Sequence, residues 1–190
     1  MKKLITIVLL LASIVTFAQI DDVPVKKHEI KANAFNIIVF KAADFSYEYL
    51  IDSESSFGAS LLINLQDSDN DDYYDEPYYY EKFAFTPYYR RYFSSKYAWG
   101  FFLEAFGMYN VQEDYDNRYY DYSTDMYLND GSNETSNNMA VGISIGGKFV
   151  SGKGFVFEFY GGVGRNIYQS NEDFATELVP RLGASFGYRW

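Results

Sequence analysis

A two-residue alternation runs along nearly the whole chain, with bulky residues on one parity and small or charged residues on the other. In "RLGASFGYRW", Leu182, Ala184, Phe186, Tyr188 and Trp190 share one side, and Arg181, Gly183, Ser185, Gly187 and Arg189 share the other. A period of two belongs to strands, whose successive side chains leave opposite faces of the pleat. Helical spacing is scarce, so the expected fold is all-β.

The alternation predicts eight strands. The first covers about His28 to Ile38. The second, near Ala43 to Asp52, sets Phe45, Tyr47, Tyr49 and Ile51 against Ser46, Glu48 and Leu50. The third, near Phe57 to Gln66, sets Phe57, Ala59, Leu61, Ile63 and Leu65 against Gly58, Ser60, Leu62 and Asn64. The others fall near Glu81–Phe93, Tyr97–Val111, Asn138–Ser151, Gly154–Ile167 and Arg181–Trp190. Tight turns follow the second, fourth and sixth, at Asp52–Ser55, Ser94–Lys96 and Ser151–Gly154. Long connections follow the third, fifth and seventh, at Asp67–Tyr80, Gln112–Asn137 and Tyr168–Glu177. The first connection alone breaks this pattern, by being short.

Short turns at one end and long loops at the other characterise outer-membrane barrels, with their even strand number. The strand lengths also suit a bilayer core, which takes about 9–11 tilted residues. The expectation is therefore an eight-stranded antiparallel up-and-down transmembrane β-barrel. The rival is a soluble lipocalin-like barrel, which would put its large apolar residues inside. Here the bulky face is aromatic and nearly free of charge, while the small-residue face carries most strand charges. Tyr and Phe number 20 and 17, and aromatics supply 21% of the chain. Lipid outside and a polar interior fit that division better.

Glu48, Glu104 and Glu158 fall on the small-residue face, with Lys148 and Arg181. Arg90 is assigned there too. Buried charges demand partners, so these six are expected to pair inside the barrel. A static polar plug is the preferred role; a gate or proton path is the functional alternative. Pro87 cannot donate to a ladder and predicts a bulge. A bulge would turn Arg91 inward instead of Arg90, so the face after Pro87 stays open.

The chain begins with Lys2 and Lys3, then an apolar run from Leu4 to Phe17 and then Ala18. This reads as a secretory signal peptide over residues 1–18. A short periplasmic segment, 19–27, and the barrel, 28–190, follow. No cysteine follows the run, which excludes a lipid-anchored lipoprotein, thiol chemistry and cysteine metal sites. Net charge is −10, so nucleic acid is not an expected partner.

Motifs for chemistry are weak. His28 is the single histidine, placed at the rim of the first strand, and a base-activated serine is poorly supported. Asp67, Asp69 and Asp71 resemble half a calcium loop, but Asp72 and Tyr78 stand where glycine and glutamate are needed. A solvated acidic loop is preferred over weak divalent binding. "YYDEPYYY" and "YDNRYYDY" offer contact surface, since tyrosine gives large area at low entropic cost. No catalytic or metal residue, cofactor or enzyme activity is expected.

"KKHEIKANAFNIIVF", "DFSYEYLIDSESSFGASL", "FAFTPYYRRYF", "WGFFLEAFG", "VGISIGGKFV" and "RLGASFGYRW" together resemble a family of small outer-membrane β-barrels of unknown function common in Bacteroidetes. The resemblance runs from about Lys26 to Trp190. It implies an eight-stranded outer-membrane barrel and no known reaction. Phe186, Tyr188 and Trp190 also resemble the C-terminal signal read by barrel-assembly machinery. Serine at 185, where that signal has glycine, is a departure.

The expected role is structural or surface-interacting, through acidic tyrosine-rich extracellular loops on a filled, monomeric barrel. Expected partners are outer-membrane lipids, the assembly machinery during insertion, and an unidentified extracellular ligand. The alternatives are a narrow pore for small solutes or ions, and the soluble periplasmic lipocalin-like binder.

Overall fold

The computed structural model describes residues 26–65, 81–114, 119–128, 134–171 and 176–190. The expected leader, Asp67, Asp69, Asp71, "YYDEPYYY" and part of "YDNRYYDY" lie outside the described residues.

Eight strands close into an antiparallel barrel. In chain order these are β1 (His28–Asn33), β2 (Ala42–Leu50), β3 (Ser55–Asn64), β4 (Glu81–Tyr92) and β5 (Gly100–Asp114). After a two-stranded hairpin, β6 (Tyr119–Asp121) and β7 (Met126–Leu128), come β8 (Glu134–Val150), β9 (Phe155–Gln169) and β10 (Leu178–Arg189). Each barrel strand pairs with its chain neighbours, and β1 pairs with β10 to close the ring. At that seam Trp190 donates its N–H to the His28 carbonyl at 2.9 Å. The expected fold class is therefore observed as a closed up-and-down barrel.

The parity of the sequence sets the faces. Phe45, Phe57, Leu61, Phe101, Leu103, Val141, Ile143, Ile145, Phe155, Phe159, Val163, Leu182, Phe186 and Tyr188 are all exposed on the exterior. Small residues let the interior side chains approach the wall: a Cβ at Gly183 would overlap the Tyr160 ring. The turn between β2 and β3 is fastened by the Glu54 N–H, donated to Asp52 Oδ1 at 2.8 Å. That bond holds the exposed Asp52 carboxyl below the usual carboxylate range.

Three expectations need correction. The first strand was expected to reach Ile38, but it ends at Asn33 and a helix, α1 (Ala34–Phe40), follows. The physical reason is the Asn33 side chain, which accepts from the Asn36 N–H and caps the helix. Lys41, left-handed at φ 51°, ends it. The bulge expected at Pro87 is absent. β4 keeps one register through it, with Phe85 opposite Tyr109 and Tyr88 opposite Phe106, and the shift lies between Glu81 and Phe83. Pro87 projects to the exterior beside Gly107, where nothing within 4 Å would meet a Cβ. Finally, the connection placed over Gln112–Asn137 is partly strand, since β5 and β8 extend into it around the hairpin.

Candidate functional site: the charged interior

Parity delivers all six expected charges to the inside. Glu48, Arg90, Glu104, Lys148, Glu158 and Arg181 are each buried, on β2, β4, β5, β8, β9 and β10. The continuous register through Pro87 is what turns Arg90 in and leaves Arg91 exposed, paired with Glu54.

Glu48 lies at the centre. Its Oε1 accepts from Lys148 Nζ at 2.7 Å and Ser56 Oγ at 2.6 Å. Its Oε2 accepts from Arg90 Nη1 at 2.8 Å and from Lys31. Tyr92 and Tyr88 add hydroxyl donors. Arg90 reaches three carboxylates: Nε donates to Glu104 at 2.7 Å, and Nη1 to both Glu48 and Glu158 at 2.8 Å. Its guanidinium also lies over the Phe102 ring at 4.3 Å and the Tyr88 ring at 4.5 Å. Cations over aromatic faces gain further from desolvation. Arg181 pairs with Glu104 and contacts Ser60.

Sequence reasoning missed four charged members. Glu29 and Lys31, on β1, are fully enclosed. Lys148 Nζ donates to Glu29 at 2.7 Å, and Lys31 Nζ to Glu158 at 2.9 Å. Arg189 donates from Nε to Glu29 at 2.6 Å and from Nη2 to the Ala98 carbonyl at 2.8 Å. It thus ties the network to the turn between β4 and β5. Asp44, on β2, accepts from Asn33 and Asn36, both at 2.8 Å. The signal was present: Asp44 shares parity with Glu48, and Arg189 with Arg181.

Glu29, Asp44, Glu48, Glu104 and Glu158 face Lys31, Arg90, Lys148, Arg181 and Arg189, and Glu81 is a further buried acid beside Asp44 and Arg181. An apolar cluster that includes Leu62, Ala84, Phe106, Met108 and Val179 also fills the interior, with Leu62 directly opposite Asp44. Asn110 donates to Asn166 and accepts from Asn138, and Gln112 bonds to Thr176. Charged, apolar and amide side chains thus share the interior, and no described stretch of it is left empty of side chains. Chemically, carboxylates engaged by several cations are poor bases and poor free ligands.

His28 lies at the short-turn rim, with Nδ1 2.7 Å from the Tyr47 hydroxyl and its ring stacked on Trp190. Phe186, Tyr188 and Trp190 are exposed on the exterior of β10 or just past it. Among the described residues no group of three or more His, Cys, Asp or Glu is arranged to hold a metal ion. Compared with known protein families, curated proteins and solved structures, this chain matches none.

The exterior is the second half of the site. Between Arg91 at one end and Arg165 at the other, the outward positions of the barrel strands carry no charge. On β8 this band runs Phe149, Gly147, Ile145, Ile143, Val141, Met139. No helix among the described residues is long and apolar enough to cross a membrane.

Proposed function

We propose that the protein is an outer-membrane β-barrel with a filled interior, acting as a structural or surface-interaction element and not as a catalyst. The observation that carries this reading is the inverted distribution of polarity. Fully buried positions hold Glu48, Arg90 and Lys148, while Ile143, Ile145 and Phe159 stand exposed. In water this arrangement wastes apolar burial and desolvates charge, both unfavourable. In hydrocarbon the same exterior is favourable, and pairing β1 with β10 closes the sheet on itself.

The filled interior argues against a pore. Ions would have to displace paired charges and pass the packed Leu62, Phe106 and Met108 side chains. β3, β5 and β9 end away from the His28–Trp190 rim, and the acidic and tyrosine-rich segments follow β3 and β5 in the sequence. In this reading recognition is a property of those segments at the cell surface.

Two measurements test it. The protein should fractionate with outer-membrane vesicles and migrate faster in unheated than in boiled gel samples. Recovery in the soluble periplasm would overturn the membrane assignment. Reconstituted into planar bilayers, it should give no sustained conductance. Steady open channels would replace the filled-barrel reading with the pore.

A further inference from the structure

The chain carries a net charge of −10, yet the side chains of its short-turn rim are mostly cationic. Three turns and the start of β1 meet there, joined by backbone bonds. The Leu50 N–H donates to the Lys27 carbonyl at 2.8 Å, the Ala98 N–H to the Ser53 carbonyl at 2.8 Å, and the Arg189 N–H to the Gly154 carbonyl at 2.7 Å. These segments bring Lys26, Lys27, Arg91, Lys96 and Lys153 to one edge, with Asp52 and Glu54 as the acids among them. Both acids are engaged: Glu54 pairs with Arg91, and Asp52 accepts the Glu54 N–H within its own turn. Among the described residues none of the four lysines forms an ion pair. At the other margin of the uncharged band, Lys82 and Arg165 each have a carboxylate, Glu113 at 2.7 Å and Glu177 at 3.3 Å.

Three of these lysines lie on outward-facing rings. Lys96 Nζ is 4.6 Å from the centre of Trp99, Lys26 Nζ 5.3 Å from Tyr188, and Lys27 Nζ 6.0 Å from Tyr49. The rings belong to a belt around the exterior. Trp99 meets Phe149 edge-on, Tyr188 meets Phe155, Tyr49 meets Phe57, and Trp190 stacks on His28. An aromatic girdle marks the headgroup level of a bilayer. A lysine laid on it keeps its stem against apolar surface and its ammonium at that level. Lys26 also reaches the turn between β8 and β9. Its Nζ lies 3.3 Å from where a Cβ on Gly154 would stand, beside the residue that follows Lys153.

We propose that this rim binds the headgroups of anionic phospholipids, lysine ammonium to phosphate oxygen, in the leaflet that meets the short turns. This rests on the membrane reading above. The uncharged band ends at the lysines, so a lipid whose chains lie along the band sets its phosphate beside them. A zwitterionic headgroup brings an ammonium of its own, which offsets its phosphate. An anionic headgroup does not, and basic groups near a membrane surface are drawn to it. The rings beneath Lys26, Lys27 and Lys96 hold these side chains in place, so less freedom is lost when the phosphate arrives. Asp52 and Glu54, already engaged, do not compete for the ammonium groups.

The test uses the full chain reconstituted in phosphatidylcholine vesicles with a trace of spin-labelled phosphatidylglycerol or spin-labelled phosphatidylcholine. Electron paramagnetic resonance measures the motionally restricted fraction of each label. Restriction of both labels reports membrane embedding alone; restriction of neither would overturn that reading and the rim's role with it. Phosphatidylglycerol is expected to associate several-fold more strongly than phosphatidylcholine, and the preference should shrink as salt rises to ~0.5 M. Neutralising the rim with Lys26→Gln, Lys27→Gln, Lys96→Gln and Lys153→Gln together should bring the two labels level. If that quadruple variant fails to fold, Lys96→Gln with Lys153→Gln should lower the preference about twofold or more. Lys82→Gln with Arg165→Gln, at the other margin, should leave it in place. Equal association of the two labels with the parent would overturn the rim's role and leave the membrane reading standing. So would a preference that survives in the lysine variants, or one lost in Lys82→Gln with Arg165→Gln, since the anion would then be held elsewhere.

Discussion

Six side chains donate hydrogen bonds to Glu48, and three of them are cations. Removing its charge would leave Lys31, Arg90 and Lys148 sharing fewer counter-ions in a buried site. Glu48→Gln is expected to destabilise the barrel by about 3–5 kcal/mol, read from denaturant unfolding in micelles. Glu54 makes the contrasting case. It pairs with Arg91 where both side chains are about half exposed, so Glu54→Gln should cost less than about 1 kcal/mol in the same assay. Glycine positions divide the same way. Gly183→Ala drives a methyl into the Tyr160 ring and should cost about 1–3 kcal/mol. Gly107→Ala meets open space and should stay within about 0.5 kcal/mol of the parent. At this scale the sequence was informative, because parity alone assigns a strand residue to a face. What parity left out was membership. Glu29 and Lys31 sit in a six-residue strand too short to display a convincing alternation.

Elements were legible where both faces repeat over many residues, as in β8 and β9. They were not legible where a single side chain decides the backbone. "ANAFNIIVF" carries the β-branched residues of a strand, and periodicity extends β1 through it. The structure ends β1 because Asn33 uses its amide for tertiary bonds, to β10 and to Asp44, that no local pattern announces. Asn33→Ala should therefore destabilise the seam by about 1–3 kcal/mol through unsatisfied buried groups. Hydrogen exchange should locate the damage, with the amides of Ala184 and α1 exchanging faster and those of β8 unchanged. Protection lost uniformly, or not at all, would remove Asn33 from its role at the seam. Pro87 carried the opposite lesson. A proline in a strand suggested a bulge, yet β3 and β4 stay in register across it, with Ala59 opposite Pro87.

At the scale of the whole molecule, the barrel was readable because one rule, large residues out and small or charged residues in, holds around the circumference. The solvent assigned to the outside makes a prediction that packing does not. Ile143 is 60% exposed, on the opposite face of the wall from the interior charges, so a lysine there touches little of the protein. In a bilayer Ile143→Lys should cost about 2–4 kcal/mol, the range for a cation facing the lipid midplane. In a water-soluble barrel the same change would be near neutral, and unfolding in vesicles would then fail to distinguish variant from parent. The walls are also unequal in height: β5, β8 and β9 have 15, 17 and 15 residues, against 6 and 9 for β1 and β2. Among the described residues, the tall side carries the β6–β7 hairpin.

The interior charges have one more consequence, for how the barrel comes into being. Glu29 and Lys31 enter on β1, while their partners Lys148, Glu158 and Arg189 arrive on β8, β9 and β10, more than a hundred residues later. An unfinished sheet would therefore present unmatched ions on the surface destined to be dry. Such an intermediate is better kept in water or at the headgroup boundary until β10 meets β1. Closing the ring and shedding its hydration then become a single cooperative event, and under the proposed membrane role the charges act as a check that no partly assembled barrel sinks into the bilayer.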